Sequence, residues 1–207
     1  MIEQPFKIPE SWHWTKLSKF LSVSKETTND FSNTKLKYVG LENMKTNCGI
    51  VSFGNVDNIK SNKNVFKTGQ ILYGKLRPYL NKHAIASFDG ICSTDIIVFD
   101  NADVVMADYV NYYFDTEDFI NYIISKAKGN TLPRVTKTDV LEAECPLPPL
   151  DEQQRIVDII EKLFTKLNLT EEKLNSIVGY NDIKNTTIGK IEFMRKSILA
   201  RAFRGKL

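Results

Sequence analysis

The sequence has little of what several common protein classes require. Its three cysteines are odd in number and widely spaced, which predicts reduced thiols and no disulfide framework. No apolar run reaches the length of a membrane span, and the polar start Met1-Ile-Glu-Gln-Pro5 does not read as a signal peptide. With only two histidines and no Cys-x-x-Cys pair, no metal site is predicted. We therefore expect a cytoplasmic protein without a membrane segment.

Catalytic and nucleotide-binding motifs are also missing. No Gly-x-Gly turn occurs, so the usual dinucleotide site is excluded. Residues 69–75 fit the frame of a phosphate-binding loop, but Leu76 stands where Ser or Thr would hold Mg²⁺, and β-type residues fill the loop. Pro148-Pro149 lacks the flanking residues of an adenine methyltransferase site. The sequence indicates a binding protein with no catalytic residues and no cofactor of its own.

Charge is unevenly distributed along the chain, although the net charge is only +3. Between Asp57 and Asp89 there is no acid but there are six bases, and between Lys82 and Lys126 there is no base but there are eight acids. A fold that keeps these blocks apart would have one positive and one negative face, which suits orientation on a polyanion. Chance clustering of solvated charges is the alternative interpretation.

The first 148 residues read as one globular domain of the α+β class, with a mixed or antiparallel sheet and flanking helices. Strands are expected at 38–41, 50–53, 70–75, 84–86 and 95–99, with a turn at 90–94. Residues 107–126 carry apolar side chains at mixed spacings of three and four, which predicts one or two helices packed on the sheet. We interpret the tyrosines of that stretch as core, and Trp12 and Trp14 as core or seam anchors.

A basic and aromatic patch follows the strand expected at 70–75. Cations, a ring and an amide are the groups that hold phosphates and read base edges, and here they are Lys75, Arg77, Tyr79, Asn81 and Lys82. Arg77 has two interpretations, a DNA contact or a corner that holds the domain together. Arg134 lies in the turn-rich loop 129–135, which is either a second contact or a plain connector.

Three prolines at 146, 148 and 149 separate this domain from a long amphipathic helical region at 149–207. An unbroken helix over 151–204 would extend ~80 Å at a rise of about 1.5 Å per residue. Gly179 and Gly189 make a bend near 178–182 the alternative. Because such a helix cannot bury its apolar stripe alone, a partner helix from a second copy or another subunit is expected. The candidate dimerisation residues are Ile156, Ile160, Leu163, Leu167, Leu174, Ile177, Ile191, Met194 and Ile198.

Five segments in order resemble the specificity subunits of type I restriction–modification systems. They are Ile8–Leu17, Tyr73–Lys82, Phe88–Asp95, Leu147–Ile156 and Arg195–Leu207, so the resemblance covers essentially the whole chain. It implies a target recognition domain that enters a DNA groove, with long antiparallel helices that space two such domains. The family usually has two recognition domains in one chain, and this chain has one. It is then either a half-subunit that dimerises to read a bipartite palindrome, or a truncated decoy that regulates by occupying the methyltransferase subunit.

The resemblance also implies partners. They are double-stranded DNA, a methyltransferase subunit that carries S-adenosylmethionine and flips the base, a second copy of the chain, and a restriction subunit as a further candidate. Arg77 is the first choice for a base or clamping contact. The residues expected to face DNA are Lys45, Asn47, Ser61, Asn62, Lys63, Lys75, Arg77, Tyr79, Asn81, Lys82 and Arg134.

Overall fold

The computed structural model describes residues 6–32, 36–46, 49–54, 56, 61–176 and 181–207, apart from the side chains of residues 174–175 and 181–186. The chain groups into two units. The sheet unit is Thr15–Cys145, and the helix unit is the described part of Met1–Trp14 together with Pro146–Leu207. The division after residue 148 stays a prediction, and the start of the chain groups with the C-terminal helices.

Strands and helices both contribute, which confirms the α+β class. The strands are β1 (His13–Lys16), β2 (Leu21–Val23), β3 (Thr27–Thr28), β4 (Lys37–Val39), β5 (Lys63–Phe66), β6 (Ile71–Gly74), β7 (His83–Ile85), β8 (Gly90–Cys92), β9 (Ile96–Asn101) and β10 (Glu144–Leu147). The helices are α1 (Ala107–Phe114), α2 (Glu117–Lys126), α3 (Lys137–Leu141), α4 (Leu150–Ser176) and α5 (Asn181–Ala202).

Two four-stranded sheets form most of the sheet unit. One has the order β2-β9-β6-β7, and its pairs are antiparallel. The other has the order β3-β5-β8-β4 and is mixed, because β4 runs parallel to β8 while the remaining pairs are antiparallel. The strands β1 and β10 pair with each other in a two-stranded sheet. The sheets are thus mixed and antiparallel, as the sequence predicts.

The strands expected at 70–75, 84–86 and 95–99 are confirmed as β6, β7 and β9, with ends that differ by one or two residues. The turn expected at 90–94 is wrong for its first three residues, because Gly90–Cys92 is the strand β8 and the turn lies at 94–95. A Cβ atom on Gly90 would lie 2.6 Å from the Lys37 carbonyl oxygen and 2.7 Å from Phe66 Cζ. Gly90 therefore allows two strands and the Phe66 ring to approach closely, which is a common role of glycine inside a strand.

The helical stretch at 107–126 is two helices because Thr116 starts a new one. The Thr116 hydroxyl oxygen accepts a hydrogen bond from the backbone N–H of Phe119, and Glu117 and Asp118 occupy the first turn of α2. Tyr109 and Tyr113 are buried, which confirms the interpretation as core for these two tyrosines, whereas Tyr112 and Tyr122 are half-buried. A second cluster of buried side chains lies between strands of both sheets and includes Val39, Phe66, Leu72, Cys92 and Val98.

The helix unit is a pair of antiparallel helices in one chain. Arg195 in α5 donates hydrogen bonds to Asn168 and Glu171 in α4, and Arg155 near the start of α4 donates to the carbonyl of Leu207. The single helix over 151–204 is therefore not observed, and a coiled coil is not confirmed. The bend expected near 178–182 falls partly on residues 177–180, which lie outside the described residues.

The start of α4 and the start of the chain are held by specific contacts within the helix unit. Gln153 is buried, and its side-chain amide donates to the carbonyl of Pro148, at 2.9 Å, which fixes the entry into α4. Trp12 is buried, in agreement with its interpretation as an anchor. A Cβ on Gly205, whose φ is +64°, would lie 2.3 Å from Pro9 Cγ. The segments around Pro9 and Gly205 thus pack closely together.

Candidate nucleic-acid interface

The basic patch predicted after β6 forms a corner, Lys75–Lys82, that leaves the sheet at the end of that strand. Its first residues are held by backbone hydrogen bonds on two sides. The N–H of Lys75 donates to the carbonyl of Asp95 at 2.8 Å, and the N–H of Arg77 donates to the carbonyl of Pro133 at 2.7 Å. The basic corner (Lys75–Lys82) is therefore built on the start of β9 and on a loop nearly sixty residues further along the chain.

That loop spans residues 128–135 and carries Arg134. Lys128 and Arg134 exchange two backbone hydrogen bonds of 2.9 Å, and Gly129 has a φ of +100°, a conformation that favours glycine. An isolated bridge joins Arg134 to Leu76. The loop thus brings Arg134 beside Lys75 and Arg77. The exposed Lys128 belongs to the same loop, and sequence reasoning missed it, although its place before a Gly-Asn turn was a usable signal.

The basic corner turns sharply and projects two of its side chains outward. Arg77 and Asn81 both adopt the left-handed region, with φ of 51° and 43°, and the short 3-10 turn Pro78–Leu80 lies between them. Arg77 is exposed and Tyr79 is 53% exposed, while Lys75 is half-buried. A cation and an aromatic ring therefore face solvent next to each other, and both are groups that contact nucleic acids.

Asn81 points the other way, into the protein. It is 1% exposed, and its side-chain N–H groups donate to the carbonyl of Phe114 at 3.0 Å and to Asp115 Oδ1 at 2.9 Å. His83 is fully buried, with Nε2 2.9 Å from the same Asp115 oxygen and Nδ1 2.8 Å from Asn111 Oδ1. This network ties the end of the basic corner to α1. Asn81 thus has a structural role at the end of the basic corner, whereas the two interpretations of Arg77 both stay predictions.

Two predicted cations are engaged within the sheet unit. Lys82 Nζ donates to the carbonyl of Leu41 at 2.7 Å. Lys63 is 9% exposed and its Nζ donates to Ser61 Oγ at 2.6 Å. Lys45, Ser61 and Asn62 are exposed, and Asn47 lies outside the described residues. The outward-facing part of the predicted set is therefore Arg77, Tyr79 and Arg134, with Lys75 beside them, and the loop residues Lys45, Ser61 and Asn62.

The acidic and basic blocks of the sequence do not lie wholly apart. Arg134 pairs with Asp95 through two contacts, Nε to Oδ1 at 3.2 Å and Nη2 to Oδ2 at 3.4 Å. Asp115 accepts from Asn81, and Asp100 accepts from Gln70 at 2.5 Å. Asp100 and Asp115 thus contact residues of the basic block, and the antiparallel pairing of β6 with β9 places the two stretches side by side, whereas Arg134, the partner of Asp95, lies outside that block.

The residues expected to dimerise differ widely in burial. Ile156, Ile160 and Ile191 are buried, and Leu163, Leu167 and Ile198 are half-buried. Met194 is 49% exposed, while the side chain of Leu174 and all of Ile177 lie outside the described residues. Because α4 packs on α5, the expectation that the partner helix must come from another chain is corrected. Leu169 and Phe193, which were not predicted, are exposed at 51% and 71%.

The described residues contain neither a cluster of metal-binding side chains nor a cysteine with a lowered thiol pKa. Among them, no three His, Cys, Asp or Glu side chains lie together as a metal site would require. Burial raises the pKa of the Cys92 thiol to about 12 and that of Cys145 well above its usual value, so neither is a ready nucleophile. No helix in the described ranges is long and apolar enough to cross a membrane.

Comparison with known proteins gives matches over most of the chain. The family described as type I restriction modification DNA specificity domain matches residues 9–178. The specificity subunit of the Escherichia coli type I restriction enzyme EcoDI is 28% identical over 203 residues, which cover 97% of this chain and 43% of that subunit. The HindI specificity subunit of Haemophilus influenzae is 25% identical over 151 residues, which cover 70% of this chain and 30% of that subunit.

Solved structures match as well. The HsdS subunit from Thermoanaerobacter tengcongensis superposes with a TM-score of 0.72 and 26% identity, over 84% of this chain and 47% of that chain. A type I restriction–modification S subunit from M. genitalium shares the fold, with a TM-score of 0.54 and 16% identity. The chain thus spans less than half the length of these relatives.

Proposed function

Because the chain belongs to the family of type I restriction–modification DNA specificity domains, we propose that it recognises a DNA sequence on behalf of a methyltransferase complex. On this proposal the chain performs no catalysis. Methyl transfer, with S-adenosylmethionine and base flipping, is the work of the methyltransferase subunit, and DNA cleavage is that of a restriction subunit where one joins.

The observation that carries the proposal is the convergence of cations from distant parts of the sequence. Lys75, Arg77 and Arg134 lie together at the end of β6, and the exposed ring of Tyr79 lies beside them. Lys and Arg side chains bind phosphates, Arg also binds guanine, and Tyr stacks on bases or donates a hydrogen bond. We assign DNA contact to these four residues, with Lys45, Ser61 and Asn62 as loop contacts. Asn81, Lys82 and Lys63 are assigned to holding the surface in shape, because their polar groups are used inside the sheet unit.

Substitution of the corner cations tests this assignment. In the complex with its methyltransferase subunit, Arg77→Ala should weaken specific DNA binding by about 1–3 kcal/mol if it contacts a base. Lys75→Ala should weaken binding to all sequences alike and lower the salt slope by about 1 if it contacts a phosphate. Lys19→Ala, an exposed cation in the 3-10 turn after β1, is the control. If neither corner variant changes affinity or salt slope, the site is elsewhere.

Methylome sequencing of a host with and without the chain tests the function itself. We expect one methylated bipartite motif to disappear when the chain is removed. If the motif persists, or if removal adds methylation, the chain is not the sequence reader, and the decoy that occupies the methyltransferase subunit becomes the better account.

We propose further that two copies act together. The chain covers 43% of the EcoDI subunit and 47% of the HsdS chain, so two copies would supply about what one such relative contains. Exposed apolar side chains on both helices, Leu169, Phe193 and Met194, offer surface for the contact. A two-fold arrangement would make the recognised site an interrupted palindrome. Light scattering of the full chain should give the mass of a dimer, and a stable monomer would contradict this part of the proposal.

A further inference from the structure

An acid lies in the middle of the surface to which we assign DNA contact. Asp95 is 31% exposed at its side chain and pairs with Arg134, which is 45% exposed. A carboxylate at this place repels phosphates, so a surface that served only to attract DNA would be better without it. Its position therefore needs a physical reason beyond general attraction.

Backbone contacts position both residues of the Asp95–Arg134 pair. The carbonyl of Asp95 accepts a hydrogen bond from the N–H of Lys75. Arg134 forms an isolated β-bridge with Leu76, the residue that follows Lys75. Both partners are thus anchored to the same two residues at the end of β6. Two side-by-side contacts, Nε to Oδ1 at 3.2 Å and Nη2 to Oδ2 at 3.4 Å, then orient the guanidinium.

The pairing leaves a defined part of the guanidinium for DNA. Asp95 takes the N–H of Nε and one N–H of Nη2, and the remaining donors are those of Nη1 and the second N–H of Nη2. Nη1 is 3.5 Å from the carbonyl of Leu132, a long contact. An outward edge with two parallel N–H groups is the edge that binds O6 and N7 of guanine.

We propose that Asp95 is a specificity-determining positioning residue: it neutralises Arg134 toward unrelated DNA and aims its free edge at a base. Non-specific binding comes from cations that displace counterions at phosphates, and a cation already paired with a carboxylate contributes little to it. Contact with a matching base does not break the Asp95–Arg134 pair, because the base edge accepts from the Arg134 N–H groups that Asp95 does not use. The inference rests on the proposed DNA-reading function.

The test is Asp95→Asn in the full chain, assayed with its methyltransferase subunit on duplexes with and without the motif found by methylome sequencing. Between about 50 and 200 mM salt, the variant should bind unrelated DNA with a slope of log K against log salt steeper by about 0.9, the value for one more phosphate contact. Specific binding should gain less or weaken, so the ratio of specific to non-specific affinity falls several-fold. Asp95→Glu, which keeps the charge, should restore the original slope.

Two further variants separate this inference from a general charge effect. Glu26→Gln removes an acid from an exposed pair, in which Glu26 lies 2.9 Å from Lys67. Lys67 precedes β6, whereas Lys75 and the basic corner follow it. This variant should therefore leave the slope unchanged. In an Arg134→Ala background, Asp95→Asn should no longer steepen the slope. An unchanged slope in Asp95→Asn, or equal steepening in Glu26→Gln or without Arg134, overturns the inference. The proposed function fails separately, if Lys75→Ala and Arg77→Ala leave DNA binding unaltered.

Discussion

Replacement of Asn81 by alanine should destabilise the sheet unit by about 3 kcal/mol. The φ of 43° is tolerated by asparagine but costs alanine roughly 1 kcal/mol. Loss of the side-chain amide removes the donor to the buried carbonyl of Phe114 and one donor to Asp115, and a buried group left without a partner costs about 1–3 kcal/mol. The Asn81 Oδ1 has no hydrogen-bond partner in the described structure, so its removal adds nothing.

Two companion substitutions separate backbone from side chain. Asn81→Gly keeps the left-handed conformation without strain and should cost about 2 kcal/mol, mainly because the carbonyl of Phe114 loses its donor, while Asp115 keeps its contact with His83. Asn81→Asp replaces the donor with an acceptor facing a carbonyl and a carboxylate, and should be worse than alanine. Asn62→Ala, at an exposed position of the same unit, is the matched control and should stay within about 0.5 kcal/mol of the wild type.

Urea unfolding measures these differences with two probes. Both tryptophans, Trp12 and Trp14, belong to the helix unit, whereas every tyrosine except Tyr180 belongs to the sheet unit. Near-ultraviolet circular dichroism of the tyrosines should therefore show the loss of stability of the sheet unit, whether or not tryptophan fluorescence, which reports on the helix unit, also changes. If the alanine and glycine variants both remain within about 0.5 kcal/mol of the wild type, Asn81 does not anchor the basic corner.

Two further predictions concern the helix unit, with tryptophan fluorescence during urea unfolding as the measurement. Ile160→Ala should cost about 3 kcal/mol because the side chain is fully buried, whereas Met194→Ala, at 49% exposure, should cost under about 1 kcal/mol; equal losses would contradict the observed burial. Hydrogen bonding from Arg155 lowers the pKa of Glu152 below its ordinary value of 4.5, so the stability it contributes is present above that value and is lost as the pH falls through the lowered pKa. Glu152→Gln should therefore be less stable by a few tenths of a kcal/mol near neutral pH, and the difference should disappear once the pH has fallen below the lowered pKa; a penalty that persists in acid would refute this assignment.

Local patterns in the sequence were enough for several elements. The apolar run at 70–75 gives β6 because β-type residues between a glycine turn and a basic stretch favour a strand. The tyrosines at 109 and 113 are core because residues four apart lie on the same face of a helix. Four of the five segments that resemble specificity subunits lie within residues 9–178 apart from Ile8, the fifth lies beyond that range, and the family they indicated is the one that matches. These features depend on neighbours in the chain, so the sequence alone determines them.

Contacts between distant residues decided the rest. Gly90–Cys92 became a strand because a parallel partner was available, and α4 found its partner in α5 because the chain turns back on itself. Asn81 faces inward because α1 presents a carbonyl and a carboxylate to it, while Arg77 and Tyr79 face outward from the same short turn. Arg134 lies beside Lys75 and opposite Asp95 only through long-range pairing. The sequence thus determines which residues bear the chemistry of the proposed DNA recognition, and the tertiary structure decides which of them face solvent, because burial and pairing depend on residues far apart in the chain.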